Sequence, residues 1–333
     1  MVKKDRGPPA EGRSPGSSPA RVRQITVQAE DSGQRLDNFL QRQLRGVPRT
    51  RLYRALRKGE VRVNKGRIRG EYRLVAGDVV RIPPLHEAPK DAPARIPRGL
   101  FDELARRIVH EDDNLIVLNK PSGLAVHGGS GLNFGLIESL RQMRPQARYL
   151  ELVHRLDRDT SGLVLIAKRA AILRELHRQL REKHIEKRYL ALAIGKWPGS
   201  CRSVDAPLEK QVLVSGERMV KVSANGKSAE TGFAVIERFA TATLLEARPV
   251  TGRTHQIRVH ALHAGHPLLG DDKYAGDSAD RLAADLGLKR LFLHAAGLQF
   301  SLPGEGDLRL QAPLDHDLEI ILEKLRKALN KKD

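Results

Sequence analysis

The side chains with the clearest capacity for chemistry are concentrated in one short segment, residues 153–162 (VHRLDRDTSG). Its aspartates and arginines can transfer protons or bind ions, and they stand directly before an apolar run, 163–167, that predicts a strand. Loops at strand ends often carry functional residues because the sheet holds them in place. A Ser/Thr/Asp turn closed by a surface salt bridge explains the same residues equally well, and composition alone leaves both interpretations open.

Several familiar cofactor and catalytic motifs are absent from the sequence. Residues 226–228 (GKS) match the end of a phosphate-binding Walker loop, but position 221, where the first glycine is required, holds lysine. The glycine-rich run 128–131 lacks the spacing of a dinucleotide-binding motif, and we expect it to be a flexible loop. No Gly-x-Ser-x-Gly nucleophile elbow occurs.

Four histidines lie close together in the sequence, at His255, His260, His263 and His266. No nearby carboxylate completes a recognised ligand set with them. Because the chain contains 12 histidines, a cluster of this kind also arises by chance. We therefore expect no metal site.

The single cysteine, Cys201, cannot form an internal disulfide, which favours a reducing compartment. No apolar run approaches the roughly 18 residues of a membrane span. The first 23 residues also lack the apolar core of a signal peptide. The sequence therefore predicts a cytoplasmic protein without a membrane partner.

Positive charge is concentrated near the amino terminus. The chain has 59 Lys and Arg against 40 Asp and Glu, a formal net charge of +19. Residues 42–73 hold 12 of the basic residues and only two acidic ones. A solvated surface normally mixes the two signs, so this excess favours a module that binds a polyanion, and nucleic acid fits best. A basic membrane-surface helix would need Trp or Phe on its apolar face, and the first hundred residues offer only Phe39.

The elements of the amino-terminal third predict a small αβ domain over residues 24–84. A tail rich in Pro, Gly and Ser, 1–23, is expected to be disordered before it, and a Pro-rich linker, 85–100, follows it. Apolar spacing predicts a helix over 36–44 with Ser32 as a possible cap, and a second over 50–58 that stops at Gly59. Short strands are predicted at 61–63, around Ile68, Tyr72 and Leu74, and at 79–82.

Residues 101–329 form the second predicted domain. Long strand patterns with irregular connections indicate an α+β fold with a mixed or antiparallel sheet. The predicted strands lie at 115–118, 163–167, 189–194, 231–237 and 243–248, and the predicted helices at 170–184, 254–264 and 318–329.

Four segments, taken together and in order, resemble the RluA-type pseudouridine synthase family. They are KPSGLAVH at 120–127, HRLD with TSG within 154–162, GRTHQIRVH at 252–260, and LHA at 293–295. Residues 32–82 resemble the S4 RNA-binding fold. The match covers nearly everything from Ile25 to Leu325, which makes it far more specific than any single motif. It implies an α+β catalytic domain on a mixed, mainly antiparallel sheet, preceded by a small S4-like domain.

The reaction that this resemblance implies detaches uracil from ribose at N1, turns the base and reattaches it through C5. No net redox change or hydrolysis occurs, so no cofactor is expected. The resemblance assigns Asp157 as the catalytic residue. Its carboxylate either bonds to C1′ or removes the C2′ proton, and both roles remain open. Both require an ionised carboxylate, for which a nearby cation is needed once the base excludes water.

Three further residues are implied to bind the substrate. Arg258 matches the arginine that pairs with the catalytic aspartate, although it could be one more surface arginine. Tyr189 matches the tyrosine that packs on the flipped uracil and assists removal of the C5 proton, although strand tyrosines usually pack in cores. Arg155 matches the arginine that enters the vacated stack, although a salt bridge to Asp159 is the simpler interpretation.

The S4-like helix is expected to contact phosphates, which set affinity without reading sequence. Its candidate residues are Arg51, Arg54, Arg57 and Lys58. The branch of the family that this chain resembles most acts on 23S rRNA, so the implied partner is 23S rRNA or a large-subunit precursor, with no protein partner and a monomeric enzyme. A non-catalytic RNA-binding protein that has lost activity is the rival hypothesis, and the intact Asp157, Tyr189 and Arg258 argue against it.

Overall fold

The computed structural model describes residues 22–44, 47–85, 96–128, 134–212 and 218–329. These residues form two compact units that divide between positions 93 and 94. Most of the predicted tail, most of the predicted linker and most of the glycine-rich loop lie outside the described residues, and Arg23, at the end of the predicted tail, is the first residue of a strand. In the part of the chain that is described, no helix is long and apolar enough to cross a membrane.

The amino-terminal unit consists of two helices and a four-stranded antiparallel sheet. The helices are α1 (Leu36–Gln43) and α2 (Arg49–Lys58), and the strands are β1 (Arg23–Thr26), β2 (Arg62–Val63), β3 (Gly66–Arg67) and β4 (Val79–Ile82). The strand order is β1-β4-β2-β3. Both predicted helices are confirmed, but Arg35 rather than Ser32 occupies the cap position of α1.

Local sequence explains the ends of these elements. Helix α2 stops because Gly59 adopts a left-handed φ of +69°, which costs glycine little. Asn64 and Lys65 take positive φ angles at the β2–β3 turn. The strands expected around Tyr72 and Leu74 do not form. The Asp78 carboxylate instead accepts hydrogen bonds from the Tyr72 hydroxyl (3.1 Å) and the Val75 N–H (2.9 Å), which holds this segment as a loop.

The second unit is built around one large sheet. Its helices are α3 (Arg98–Arg106), α4 (Leu136–Met143), α5 (Ala170–Glu182), α6 (Gln256–His263), α7 (Asp277–Leu286) and α8 (His316–Leu329). Its strands are β5 (Ile108–Glu111), β6 (Leu115–Lys120), β7 (Glu151–Leu152), β8 (Ser161–Ala167), β9 (Glu186–Ile194), β10 (Ser203–Asp205), β11 (Leu208–Val212), β12 (Arg218–Val222), β13 (Glu230–Arg238), β14 (Ala242–Pro249), β15 (Leu293–Leu302) and β16 (Gly306–Gln311). Helix α3 begins inside the predicted linker.

The sheet is mixed and mainly antiparallel, as the resemblance implies. Its strands follow the order β10-β13-β14-β9-β15-β8-β6-β5, while β16 pairs with β15 and β7 with β8. Strands β8 and β15 run parallel, and the other pairs in the described residues are antiparallel. Strands β11 and β12 form a separate antiparallel hairpin. The α+β fold class is confirmed.

The central strands are buried on both faces of the sheet. Along β6, Leu115 and Val117 pack in a cluster with residues of α5, while Ile116 and Leu118 pack in another with residues of α4. This alternation follows from the two-residue period of a strand. The strands at the middle of the sheet are therefore a fixed support for the loops that leave them.

Gly162 of β8 pairs with Ala295 of β15. Its φ is +109°, and a Cβ built there would lie 2.4 Å from the carbonyl oxygen of Ala295. Only glycine fits this backbone conformation and this approach. The close packing of these two strands thus explains the glycine that ends the segment 153–162.

Candidate active site

A cavity of about 340 Å³ lies where β8 begins. It is lined by the loop before β8, by residues of β9 and by the loop that leads into α6. All four residues expected from the sequence to act on the base line it, namely Arg155, Asp157, Tyr189 and Arg258. The fold therefore brings together side chains that are about a hundred residues apart in the chain.

The loop that carries Asp157 is anchored to β8 by its backbone and by His154. The Val153 N–H donates to the Leu165 carbonyl (2.9 Å), and the Leu165 N–H donates to Nε2 of His154 (3.2 Å). Burial lowers the pKa of His154 to about 4. The imidazole is therefore neutral at physiological pH and can accept this hydrogen bond.

A buried lysine anchors the other side of the same loop. The Lys120 ammonium, at the end of β6, is fully buried and donates to the carbonyls of Pro121 (2.9 Å), Leu124 (2.8 Å) and Arg158 (2.9 Å). Burial lowers its pKa to about 7, against the opposing charges of Asp159 and Asp157. Because the Arg158 carbonyl belongs to the residue after Asp157, this lysine restrains the position of the carboxylate.

The imidazole of His255 lies beside the Asp157 carboxylate. Its Nε2 lies 4.0 Å from Oδ2 of Asp157, and both side chains are mostly buried, at 14% and 19% exposure. Its Nδ1 is 2.7 Å from the Tyr274 hydroxyl. Burial lowers the pKa of His255, although the charge of Asp157 opposes this shift. His255 also has a left-handed φ of +53° directly before α6.

Arg258 does not contact Asp157 directly, which corrects the pairing implied by the resemblance. Its guanidinium is 2% exposed and binds both carboxylate oxygens of Asp271, with Nε to Oδ2 at 2.7 Å. It also lies 5.0 Å from the centre of the Tyr274 ring. Burial opposes the charged form, but hydrogen bonding to Asp271 and the nearby carboxylates raise the pKa of Arg258. The charges of Arg258 and Asp157 therefore interact through space across the cavity.

Gln256 fixes the loop that presents His255 and Arg258. Its side-chain oxygen accepts from the Arg253 N–H (3.0 Å) and the Thr251 hydroxyl (2.6 Å). Its amide nitrogen donates to the Glu230 carbonyl (2.8 Å) on β13. A buried amide with its donors and acceptors satisfied locks a loop in one conformation. This explains the central glutamine of the segment GRTHQIRVH.

Tyr189 lies on β9, next to Ala295 of β15 and Ala247 of β14. Its hydroxyl has no hydrogen-bond partner among the described residues. Burial and the charge of Asp157 raise the pKa of Tyr189 well above its ordinary range, so the phenol stays protonated at physiological pH. The ring therefore presents an apolar face and a neutral hydroxyl to the cavity.

Arg155 is exposed and forms no ion pair with any described residue. The salt bridge to Asp159 that offered the simpler interpretation is made by Arg158 instead, with Nε to Oδ1 at 2.9 Å. Asp157 is the only carboxylate among the described residues that line the cavity, where it is surrounded by the cationic side chains of Arg155, Lys187, Arg253 and Arg258. Such a site favours an anionic ligand.

Comparison with known proteins agrees with this arrangement. The RNA pseudouridylate synthase family matches residues 114–263, and the S4 domain matches residues 34–80. The chain belongs to the RNA pseudouridine synthase family, whose members are isomerases.

Two relatives span almost the whole chain. Ribosomal large subunit pseudouridine synthase C of Escherichia coli (strain K12) is 57% identical over 311 residues, covering 92% of this chain and 98% of the relative. The protein of the same name from Haemophilus influenzae is 56% identical over 309 residues, covering 92% and 96%. Among solved structures, Human RNA Pseudouridylate Synthase Domain Containing 4 has a TM-score of 0.58 and 29% identity, covering 68% of this chain and 96% of that one.

The four S4 residues lie along α2. Arg54, Arg57 and Lys58 are exposed, whereas Arg51 forms a hydrogen-bonded ion pair with Glu60 at 3.1 Å. Three of the four are therefore available to a ligand without breaking an ion pair.

Four residues around the site were not assigned roles from the sequence: Lys120, His255, Asp271 and Tyr274. Lys120 and His255 lie inside the family segments, so their position in the sequence could have indicated that they belong to the site. His255 was instead grouped with three other histidines as a chance cluster.

Of the four clustered histidines, His260 forms hydrogen bonds with the Thr231 hydroxyl (2.9 Å) and the Ala206 carbonyl (3.0 Å). No group of three or more His, Cys, Asp or Glu placed to hold a metal occurs in the described residues. Asp271 and Tyr274 carried no sequence signal.

Proposed function

We propose that this protein converts uridines of large-subunit rRNA to pseudouridine, with Asp157 as the catalytic carboxylate. The observation that carries the assignment is the position of Asp157 as the single lining carboxylate of a cationic cavity, in a chain of this family. Its relatives' name refers to the ribosomal large subunit. We propose that it acts in the cytoplasm.

The reaction balances without an external reactant. The N1–C1′ bond breaks, the base turns, the C5–C1′ bond forms, the C5 proton leaves, and N1 gains a proton. Cleavage places positive character on C1′, which an ionised carboxylate stabilises either by bonding to C1′ or by taking the C2′ proton. The buried charge of Arg258 offsets the desolvation of Asp157 when the base fills the cavity.

Tyr189 and Arg155 suit the base-flipping steps. A uridine must leave its stack to reach the cavity, at a cost of a few kcal/mol. The Tyr189 ring can stack on the extruded base. Because its hydroxyl is protonated, Tyr189 can accept the C5 proton only if it releases its own proton to another group at the same time. The exposed Arg155 guanidinium, which has no ion pair among the described residues, can occupy the gap left in the RNA.

The S4 domain contacts the phosphates of the RNA backbone. The exposed candidates for these contacts on α2 are Arg54, Arg57 and Lys58, with Arg51 beside them. Phosphate contacts of this kind increase affinity for any RNA and set register. Choice of a uridine in folded RNA then depends on shape and exposed loops.

Carbodiimide mapping of rRNA tests the proposal. A strain of the source organism that lacks the gene should lose pseudouridine at one or more large-subunit positions and regain it when the gene is restored. Small-subunit rRNA from the same cells is the internal control. An unchanged large-subunit pattern in the deletion strain would contradict the proposal.

A further inference from the structure

A second cavity, of about 460 Å³, adjoins the one that holds Asp157. The two cavities share Arg155 and the loop residues 252–254. The remaining wall of the second cavity comes from the β11–β12 hairpin and from the turn that follows it, with Leu208, Glu209, Lys210, Val220, Asn225, Gly226 and Lys227. The mechanism proposed above uses none of these hairpin and turn residues.

The wall of this cavity is tightly built. Leu208 and Lys227 exchange two backbone hydrogen bonds, each 2.9 Å long. A Cβ at Gly226 would lie 2.6 Å from the Leu208 carbonyl carbon, so the turn crosses β11 with no room for a side chain. The Val220 N–H donates to the Tyr274 hydroxyl (3.0 Å), which also contacts His255. The hairpin that lines the second cavity is thus linked through Tyr274 to His255, which lies beside Asp157.

The charge of the second cavity is strongly positive. Arg155, Lys210, Lys227 and Arg253 line it, against one carboxylate, Glu209. None of these four cations forms an ion pair with a carboxylate in the described part of the chain, although Arg253 donates to the Ser228 carbonyl (3.1 Å). Elsewhere in the same unit, arginines such as Arg258 and Arg290 form ion pairs with aspartates. Clustered cations without counter-charges indicate an anionic ligand.

We propose that this second cavity binds the nucleotide next to the target uridine, with its phosphate against Lys210 and Lys227. The proposal rests on the function proposed above. A uridine extruded from an RNA strand remains covalently joined to a phosphate on each side, so one neighbour must lie close to the mouth of the first cavity. The second cavity is adjacent, cationic and within the usual size range of ligand pockets, about 300–1,000 Å³. Arg155, which lines both, separates the two nucleotides.

The test removes the two lysines that line only the second cavity. Full-length Lys210→Gln/Lys227→Gln is compared with Lys196→Gln/Lys289→Gln, which removes two exposed charges that line neither cavity. A protein-free transcript of large-subunit rRNA is the probe. Its Kd is measured against salt concentration, and turnover is followed as tritium release from [5-³H]uridine in the same transcript.

We expect the slope of log affinity against log salt to become shallower by about 0.7 per lost phosphate contact, and KM to rise on the order of tenfold. The kcat at saturating RNA should not change, and Lys210→Arg/Lys227→Arg should restore both the slope and KM. A slope and KM equal to those of the control pair would overturn the proposal, as would a fall in kcat alone. Absence of tritium release by the wild-type protein would instead count against the proposed function, while the binding slopes would still decide this proposal.

Discussion

Nε2 of His255 lies 4.0 Å from Oδ2 of Asp157, and its Nδ1 is held by the Tyr274 hydroxyl at 2.7 Å. Arg258, the arginine expected to pair with this aspartate, is instead bound by Asp271 through two hydrogen bonds. The carboxylate therefore lies beside an imidazole whose pKa burial lowers, and the buried charge of Arg258 is further away. This arrangement leaves both Asp157 oxygens free of a direct guanidinium bond.

His255 can be replaced without strain only by a residue that tolerates its left-handed backbone. Asparagine does so readily, whereas a β-branched residue does not. We expect His255→Asn to retain the free energy of unfolding and to lower kcat by 10- to 100-fold, because the carboxylate loses its neighbour. His255→Val should lose a further 1–3 kcal/mol of stability, at roughly the cost of a strained φ. Urea unfolding and single-turnover rates separate the two effects, and equal stability of both variants would contradict this account.

Asp271 keeps the buried charge of Arg258 compensated. Removing one partner of a buried ion pair leaves an unpaired charge and costs about 3–5 kcal/mol. Asp271→Asn should therefore lower the free energy of unfolding by about that amount.

An apolar pair of similar size provides the control for Asp271. Arg258→Met/Asp271→Leu should recover most of the lost stability, because neither charge remains buried, yet it should stay inactive. Recovery of activity together with stability would show that Arg258 serves the fold and not the reaction.

Two substitutions of Tyr189 distinguish its stacking on the base from its part in proton transfer. Tyr189→Phe keeps the ring and loses the hydroxyl, so kcat should fall while KM stays unchanged. Tyr189→Ala also removes stacking worth about 1–3 kcal/mol per base, so its KM should rise about 5- to 150-fold. Steady-state tritium release measures both constants. A Phe variant with a raised KM and unaltered kcat would reverse these roles.

His154 should make the fold sensitive to acid. Its pKa is about 4 in the folded protein and 6.5 ordinarily. Between these values the unfolded chain binds more protons than the folded one, so stability falls as pH drops from 6.5 towards 4. The shift corresponds to about 3 kcal/mol.

The matched variant is His154→Gln, whose amide oxygen can accept the same Leu165 N–H without titrating. Urea unfolding at several pH values should give a shallower decline for this variant between pH 6.5 and 4. An identical decline in both proteins would rule out His154 as the sensitive group.

The predictable parts of the fold were those with a strong local pattern. Strand β8 is an uninterrupted apolar run, and helix α2 ends at a glycine, so both followed from neighbouring residues. Strand β15 was not predicted, although its first three residues lie in a family segment. Its apolar positions are interrupted by Gly297 and Gln299, and its central place depends on pairing with β8 and β9.

The candidate site was predictable to the extent that its residues lie within sequence motifs. The resemblance identified Asp157, Arg155, Tyr189 and Arg258, and the fold places all four around one cavity. It did not identify Asp271 as the partner of Arg258, because that contact is created by the turn after α6. The three carbonyl acceptors of Lys120 likewise come from two separate segments that only the folded chain brings together.

The most direct test of the central claim compares two aspartates of one loop in the deletion strain. Asp157 lines the cavity, whereas the Asp159 carboxylate pairs with Arg158 outside it. Carbodiimide mapping should show no restored large-subunit pseudouridine with Asp157→Asn and restoration with Asp159→Asn, while both purified proteins bind large-subunit rRNA as tightly as the wild type. Full restoration by Asp157→Asn would contradict the assignment of Asp157 as the catalytic carboxylate.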